Sequence, residues 1–422
     1  MTLADLRAER IPPSFGQEQL WFLDQLDPGQ ATYNIPLIYR LHGPLDVATL
    51  TGALDRLVTR HEALRTCFEV AEGSPCQVIA PPSPLGTRVE DVTEAVRAGG
   101  PEVVEQLLDA EARAPFDLAA GPLFRARILR TSDDEHVLCL TVHHAIADGW
   151  SVGLLAGELS QLYAAGVAGR DADLPELEVQ YGDYALWQRD WLQGESLTER
   201  LDYWEQSLAG APVLDLPTDR PRPAVPSGQG DVLVHEFDPA LLGGARLLAR
   251  EHGASLFMVL ATAFSAVLAR HSGQDDFTVG TTMLGRMRPE LERVVGLFVN
   301  MVALRCDASG DPTFAGLLDR MRDVTLGAYD HQEVPFEQVV GRVERRRDPS
   351  RNPLFQVGMQ VLSDQTGGGT LHLVGVDAEA ALLSPGGARF DLSMTYTETA
   401  DRLSVSVEYA TDLFDRWRVE QI

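Results

Sequence analysis

The chain has 422 residues, 45% of them hydrophobic and 23% charged. That is apolar enough to exclude disorder as the main state, and long enough for two domains of about 200 residues each. A net charge of −27, from 35 basic and 62 acidic residues, argues against nucleic acid or an anionic membrane as partner. Every basic residue is Arg, and with no Lys in the chain Schiff-base and Lys general-base chemistry are excluded.

The N-terminus, MTLADLRAERIPPS, carries both signs of charge and no apolar core, so it does not read as a secretory signal. No apolar run approaches the roughly 20 residues that span a bilayer. These features lead us to expect a soluble, cytoplasmic chain. From Asp46 to Arg60, Leu50, Ala53, Leu54, Leu57 and Val58 fall at helical spacing behind a capping Asp46. Residues 137–142 (VLCLTV) predict a fully buried strand, and 151–165 an amphipathic helix. A second apolar helix is predicted over 254–271, stopped by Gly273.

Two stretches lose periodicity. Residues 166–178 gain Gly, Asp and Pro, and the boundary between an N-terminal lobe (1–175) and a C-terminal lobe (176–422) is expected there. Residues 217–230 are the most Pro-rich and read as a surface crossing within the second lobe; the glycines of 366–369 mark a further loop. Alternating helical and strand patterns make the chain a mixed α/β protein. Cys67, Cys76, Cys139 and Cys306 are scattered without a CxxC pair, and read as reduced thiols rather than a disulfide frame or metal site.

The most informative stretch is HHAIADG at 143–149, where two histidines close the buried strand and Asp-Gly precedes a helix. A strand end leading into a helix is where α/β proteins expose functional side chains. On a strand, His143 and His144 point to opposite faces and have different tasks. Asp148 alone reads equally as a helix cap, while Gly149 permits close approach of backbone or ligand.

HHAIADG resembles the HHxxxDG signature of condensation domains of nonribosomal peptide synthetases, in the chloramphenicol-acetyltransferase-like superfamily. Further stretches resemble the other family motifs in order along nearly the whole chain: SFGQEQLWFL (14–23), RHEALRT (60–66), YGDYALW (181–187), VGLFVN (295–300), HQEVPFE (331–337) and DPSRNPLFQ (348–356). One departure is Gln19, where the family commonly carries Arg. The resemblance implies two chloramphenicol-acetyltransferase-like α/β lobes forming a V-shaped pseudo-dimer with a central tunnel. It implies attack by the α-amine of an acceptor aminoacyl thioester on a donor thioester, both on phosphopantetheine arms of carrier proteins. Upstream and downstream peptidyl carrier proteins and an adjacent adenylation domain are the implied partners of a monomeric domain that needs no cofactor or metal of its own.

By the same resemblance His144 is catalytic, as general base or as positioner of the amine, with the Gly149 amide as an oxyanion or substrate contact. His143 is structural, and Asp148 pairs with Arg286 in TMLGRMRPE. Asn300, Trp150 and Ser151 are expected along the substrate tunnel. Tyr181, Tyr184 and Trp187 read as a packing face, Trp21 and Leu23 as core, and His331 as a helix-terminus contact. Arg342, Arg345, Arg346, Arg347 and Arg351 form a basic island, either a solvated face or a contact for an acidic carrier protein. HHAIADGWS most resembles domains joining an L-configured donor to an L-acceptor; starter and D-donor types stay open. His143 argues against a heterocyclisation domain, which carries Asp there, and the absence of DFGWG argues against the plant-type acyltransferases. The chain reads as a domain cut from a longer synthetase, with a free-standing enzyme forming an ester or amide as alternative. A non-catalytic domain that recruits a partner protein is the rival from another class, and its HHxxxDG is usually degraded.

Overall fold

In the computed structural model, which describes residues 11–344, 348–363, 370–381 and 387–422, the apolar run at 137–142 lies within the strand Glu135–His143. It is buried along its whole length after Glu135 because a strand pairs with it on each side. Asn34–His42 runs antiparallel on one side, with Asn34 opposite His143, and Phe124–Arg130 runs antiparallel on the other. Arg88–Asp91 and Asp377–Ala381 complete this five-stranded sheet at its two edges.

The helix Val47–Arg60 buries the same five apolar residues that its spacing predicts. Asp46 caps it by accepting from the Thr49 amide at 3.0 Å. The helix after HHAIADG runs from Gly149 to Val167, longer than predicted, and packs on Val47–Arg60. It is less amphipathic than expected, since Ser151 and Glu158 are buried along with Val152, Leu155, Ala156, Leu159 and Leu162.

The chain divides into two compact units. The first comprises the described residues within Met1–Trp191, Arg286–Phe298 and Gln365–Pro385, and the second those within Leu192–Gly285, Val299–Asp364 and Gly386–Ile422. The break therefore follows Trp191 rather than residue 175, and two later segments return to the first unit. The physical reason is the helix Tyr181–Trp191. Its Arg189 reaches the Pro13 carbonyl at 2.9 Å and the Glu18 carboxylate at 2.6 Å, and so binds it to the N-terminal helix Phe15–Leu26.

The second unit is built on a six-stranded mixed sheet in the order Gly230–Glu236, Leu403–Ala410, Leu392–Glu398, Val357–Ser363, Asp276–Met283, Asn300–Asp307. The helix Leu256–Ser272 begins at a Ser255 cap and ends at Gly273, whose φ of 72° is the left-handed value that stops a helix. The Pro-rich stretch at 217–230 lies in this unit and forms neither helix nor strand until its last residue, Gly230, which opens the strand Gly230–Glu236. The loop expected at 366–369 falls outside the described residues. Trp21 and Leu23, read as core, are only half-buried; Leu20 and Gln17 are the buried residues of their helix.

Gly280 shows how closely the second core is packed, because a Cβ there would lie 2.1 Å from the Phe355 ring. Gly280→Ala is expected to cost about 1–3 kcal/mol or more by overpacking. Gly244→Ala, on the helix Pro239–Glu251 with no neighbour within 4 Å of the new Cβ, is expected to stabilise by a few tenths to about 1 kcal/mol. Thermal unfolding of the two variants beside the parent measures the contrast.

Candidate active site

The strand ends at His143, and His144 opens a single 3₁₀ turn, His144–Ile146, before the helix starting at Gly149. The two histidines are thus not adjacent residues of one strand, as the sequence suggested. They differ in environment instead. His143 is buried, edge-on to Tyr33 and Phe116 with ring centroids 6.3 and 5.9 Å away. Its Nδ1 accepts a hydrogen bond from the Ala145 amide at 3.1 Å, which assigns the proton of the neutral ring to Nε2. Burial, and then the neighbouring His144, push its pKa down to about 4. His144 is half-buried, its amide donating to the Tyr33 carbonyl at 2.8 Å.

Asp148 has no exposed surface, and its carboxylate accepts from four directions. Oδ1 takes the Ser151 amide at 2.9 Å and the Ser151 hydroxyl at 2.8 Å, capping the helix; Oδ2 takes the Phe298 amide at 2.9 Å. Arg286 supplies the countercharge through both terminal nitrogens, Nη1 to Oδ2 at 2.9 Å and Nη2 to Oδ1 at 3.1 Å. The pairing that the family resemblance implied is therefore made, as a bidentate fork. Burial would raise the Asp148 pKa, but the guanidinium and the amide hydrogen bonds reverse that and hold it below the usual carboxylate range. The Arg286 guanidinium also lies over the Phe298 ring, 4.2 Å from its centroid.

Arg286 belongs to a segment, Arg286–Phe298, that is fastened to the first unit at several further points. The Trp150 indole donates to the Glu292 carbonyl at 2.8 Å. Ser151 Oγ lies 2.9 Å from the Gly296 carbonyl and accepts from the Gly296 amide at 3.0 Å. The Tyr181 hydroxyl donates to the Leu297 carbonyl at 2.5 Å. Gly296 is indispensable there, since a Cβ would sit 1.8 Å from the Tyr181 ring. Tyr181 and Tyr184 both pack on Phe298, so the aromatic face of YGDYALW is a packing face.

The three positions expected along a substrate tunnel each hold a neighbouring segment through hydrogen bonds. Ser151 is fully buried and its hydroxyl is consumed by Asp148 and Gly296. Trp150 is anchored through its indole N–H. Asn300 donates to the Gln332 and Val334 carbonyls at 2.8 and 2.6 Å and accepts from the Phe336 amide at 3.2 Å, pinning the HQEVPFE segment. His331 caps a helix, bonded to the Gly327 carbonyl at 2.8 Å and stacked on Tyr203. Of the basic island, Arg342 is paired with Asp202 and Glu205 and Arg351 with Asp215; Arg345, Arg346 and Arg347 lie outside the described residues.

Gly149 is exposed, and a Cβ built on it meets nothing within 4 Å. The fold leaves open space over this residue. Sequence reasoning missed Gln17, which is fully buried and whose Nε2 donates to the Ala145 carbonyl at 3.0 Å. The signal available was its place three residues after Ser14, the spacing of a capping box.

Arg286→Met, which strands the Asp148 charge, is expected to destabilise the chain by about 3–5 kcal/mol, read from thermal or urea unfolding at neutral pH. His143 gives a second expectation. Its folded pKa of about 4 lies below the unfolded value near 6.5, so its contribution is complete above pH 6.5 and is lost as pH falls towards 4. The loss amounts to about 3 kcal/mol. His143→Asn, which retains an acceptor but does not charge in that range, is expected to flatten the fall in thermal midpoint between pH 7 and 4.5.

The Condensation domain family model matches residues 7–422. The chain is similar to malpinin synthetase of Mortierella alpina, 43% identical over 98% of this chain and 5% of that protein. It is also similar to a linear gramicidin synthase of Brevibacillus parabrevis, 42% identical over 99% of this chain and again 5% of the relative. The chain thus spans about a twentieth of the length of these relatives. Among solved structures, the X-domain from teicoplanin biosynthesis matches with a TM-score of 0.85 at 28% identity, over 98% of this chain and 92% of that one. The mixed α/β fold is accordingly the chloramphenicol-acetyltransferase-like fold of condensation domains. The chain belongs to the condensation domain family.

Proposed function

We propose that the chain forms an amide bond between a donor acyl or peptidyl thioester and the α-amine of an acceptor aminoacyl thioester, within a nonribosomal peptide synthetase. The observation that carries this reading is the intact HHAIADG turn, with its Asp148 locked and half-buried His144 at its head. Similarity to malpinin synthetase and to a linear gramicidin synthase subunit supports it. The chemistry asks little of the protein. A free α-amine has a pKa of about 7.7–8.0, so a useful fraction is neutral near pH 7, and a thioester is already activated. The amine nitrogen attacks the thioester carbonyl carbon, the C–N bond forms, and the C–S bond then breaks to release the donor carrier's thiol. His144 accepts a hydrogen bond from the amine, takes the proton it loses and passes a proton to the departing sulfur, a two-way transfer that an imidazole can perform. The Gly149 amide, at the start of its helix, donates to the oxygen that becomes negative in the tetrahedral intermediate.

The substrates arrive on phosphopantetheine arms of upstream and downstream peptidyl carrier proteins, with an adenylation domain alongside. We further propose an L-configured donor and an L-acceptor, a monomeric domain and a cytoplasmic setting. A second reading, recruitment of a partner protein without catalysis, draws on the similar teicoplanin X-domain, which has also been solved in complex with OxyB.

The test uses donor-loaded and acceptor-loaded carrier proteins with intact-protein mass spectrometry. The parent is expected to move the donor mass onto the acceptor carrier, and His144→Ala to do so at least ~100-fold more slowly while melting like the parent. Equal rates in the two chains would contradict the role of His144. No transfer across several donors, with a partner still bound, would move the recruitment reading ahead. Gly149→Leu is expected to lower transfer without lowering the thermal midpoint, because its side chain enters space the fold leaves open.

A further inference from the structure

We infer that Gln17 is a positioning residue for His144, and this rests on the reading of His144 as the group that handles the amine. The turn that begins at His144 is held at three backbone points that bracket it. The His144 amide donates to the Tyr33 carbonyl at 2.8 Å, and the Ala145 amide donates to His143 Nδ1 at 3.1 Å. The third point is the Ala145 carbonyl, which accepts from Gln17 Nε2 at 3.0 Å. Both polar groups of the residue after His144 are therefore held by side chains, and Gln17 supplies one of them.

The orientation of the Gln17 amide is fixed by its other partner. Its Oε1 accepts from the Ser14 amide at 3.0 Å, so Nε2 has to face the Ala145 carbonyl. Ser14 is fixed in turn, its Oγ accepting from the Gln17 amide at 3.2 Å and lying 2.7 Å from the Tyr181 hydroxyl. That hydroxyl reaches the Leu297 carbonyl, next to the Phe298 amide that binds Asp148. Gln17 thus closes a ring of bonds around the turn, from Ala145 through Ser14, Tyr181 and residues 297–298 to Asp148. Fully buried on the inner side of its helix, it has no role in solvation.

Gln17→Glu tests this with a near-isosteric change. Ionised, the carboxylate has no hydrogen to give the Ala145 carbonyl; protonated, its hydroxyl replaces the lost donor, and burial raises its pKa into an accessible range. With loaded carriers, kcat for Gln17→Glu is expected ~10–100-fold below the parent at pH 8.5 with KM changed little, the deficit shrinking as pH falls towards 6. In chains labelled with [15N]histidine, the His143 and His144 ring signals are expected to move in the variant at pH 8.5 and return as pH falls. A parent that transfers nothing overturns the reading of His144. A parent that transfers, with a variant equal to it at every pH, overturns the role of Gln17 alone. Unchanged ring signals overturn that role whether or not the chain turns over.

Discussion

A carboxylate with no exposed surface is tolerable only if it is paired and fully hydrogen-bonded, and Asp148 meets that condition with a guanidinium, two amides and a hydroxyl. Much else follows from it. Arg286 is distant in sequence from HHAIADG, so satisfying Asp148 requires the segment Arg286–Phe298 to fold with the first unit. That segment is then fastened through Glu292, Gly296 and Leu297, which explains why Trp150, Ser151 and Tyr181 are spent on it. A well-packed apolar pair of equal volume would serve stability as well. What the ion pair adds is direction: a forked guanidinium and a capped helix fix the Asp148 end of the turn in one geometry.

The other end of the turn is fixed by neutral groups. His143 is kept uncharged by burial, so that its Nδ1 stays an acceptor for the Ala145 amide at any pH well above 4. Two adjacent imidazoles therefore take different roles because one is enclosed by Tyr33 and Phe116 and its neighbour is half-buried at the start of a turn. Glycine has two opposite uses here. Gly296 is needed because the Tyr181 ring occupies the space of its side chain, whereas a side chain added at Gly149 would meet nothing within 4 Å and would point into open space.

Much of this was legible in the sequence where the signal was local. The strand at 137–142, the helix behind Asp46 and the stop at Gly273 follow from periodicity and capping, which depend on neighbours a few residues away. The Asp148–Arg286 pair was reached only through the family resemblance, since nothing local links residues so far apart. The partners of Ser151, Trp150 and Asn300 were not legible for the same reason: each bonds to a segment far from it in sequence. The lobe boundary was misplaced because loss of periodicity marks a loop, not a change of unit. The coil before Tyr181 stays with the first unit, as the hydrogen bond from Arg60 to the Pro175 carbonyl shows. The Ser14–Gln17 spacing signals a helix cap, but the bond from Gln17 to the Ala145 carbonyl is long-range and leaves no local trace.

Asp148 and Arg286 act as one unit, and a double-mutant cycle measures that directly. Unfolding free energies of Asp148→Ala, Arg286→Ala and the double variant would be determined at neutral pH and compared with the parent. The predicted result is strong coupling, with the double variant costing little more than either single one and an interaction energy of about 2–3 kcal/mol or more. Additive losses, with no interaction energy beyond roughly 0.5 kcal/mol, would contradict it and show that the turn carrying His144 is held by something else.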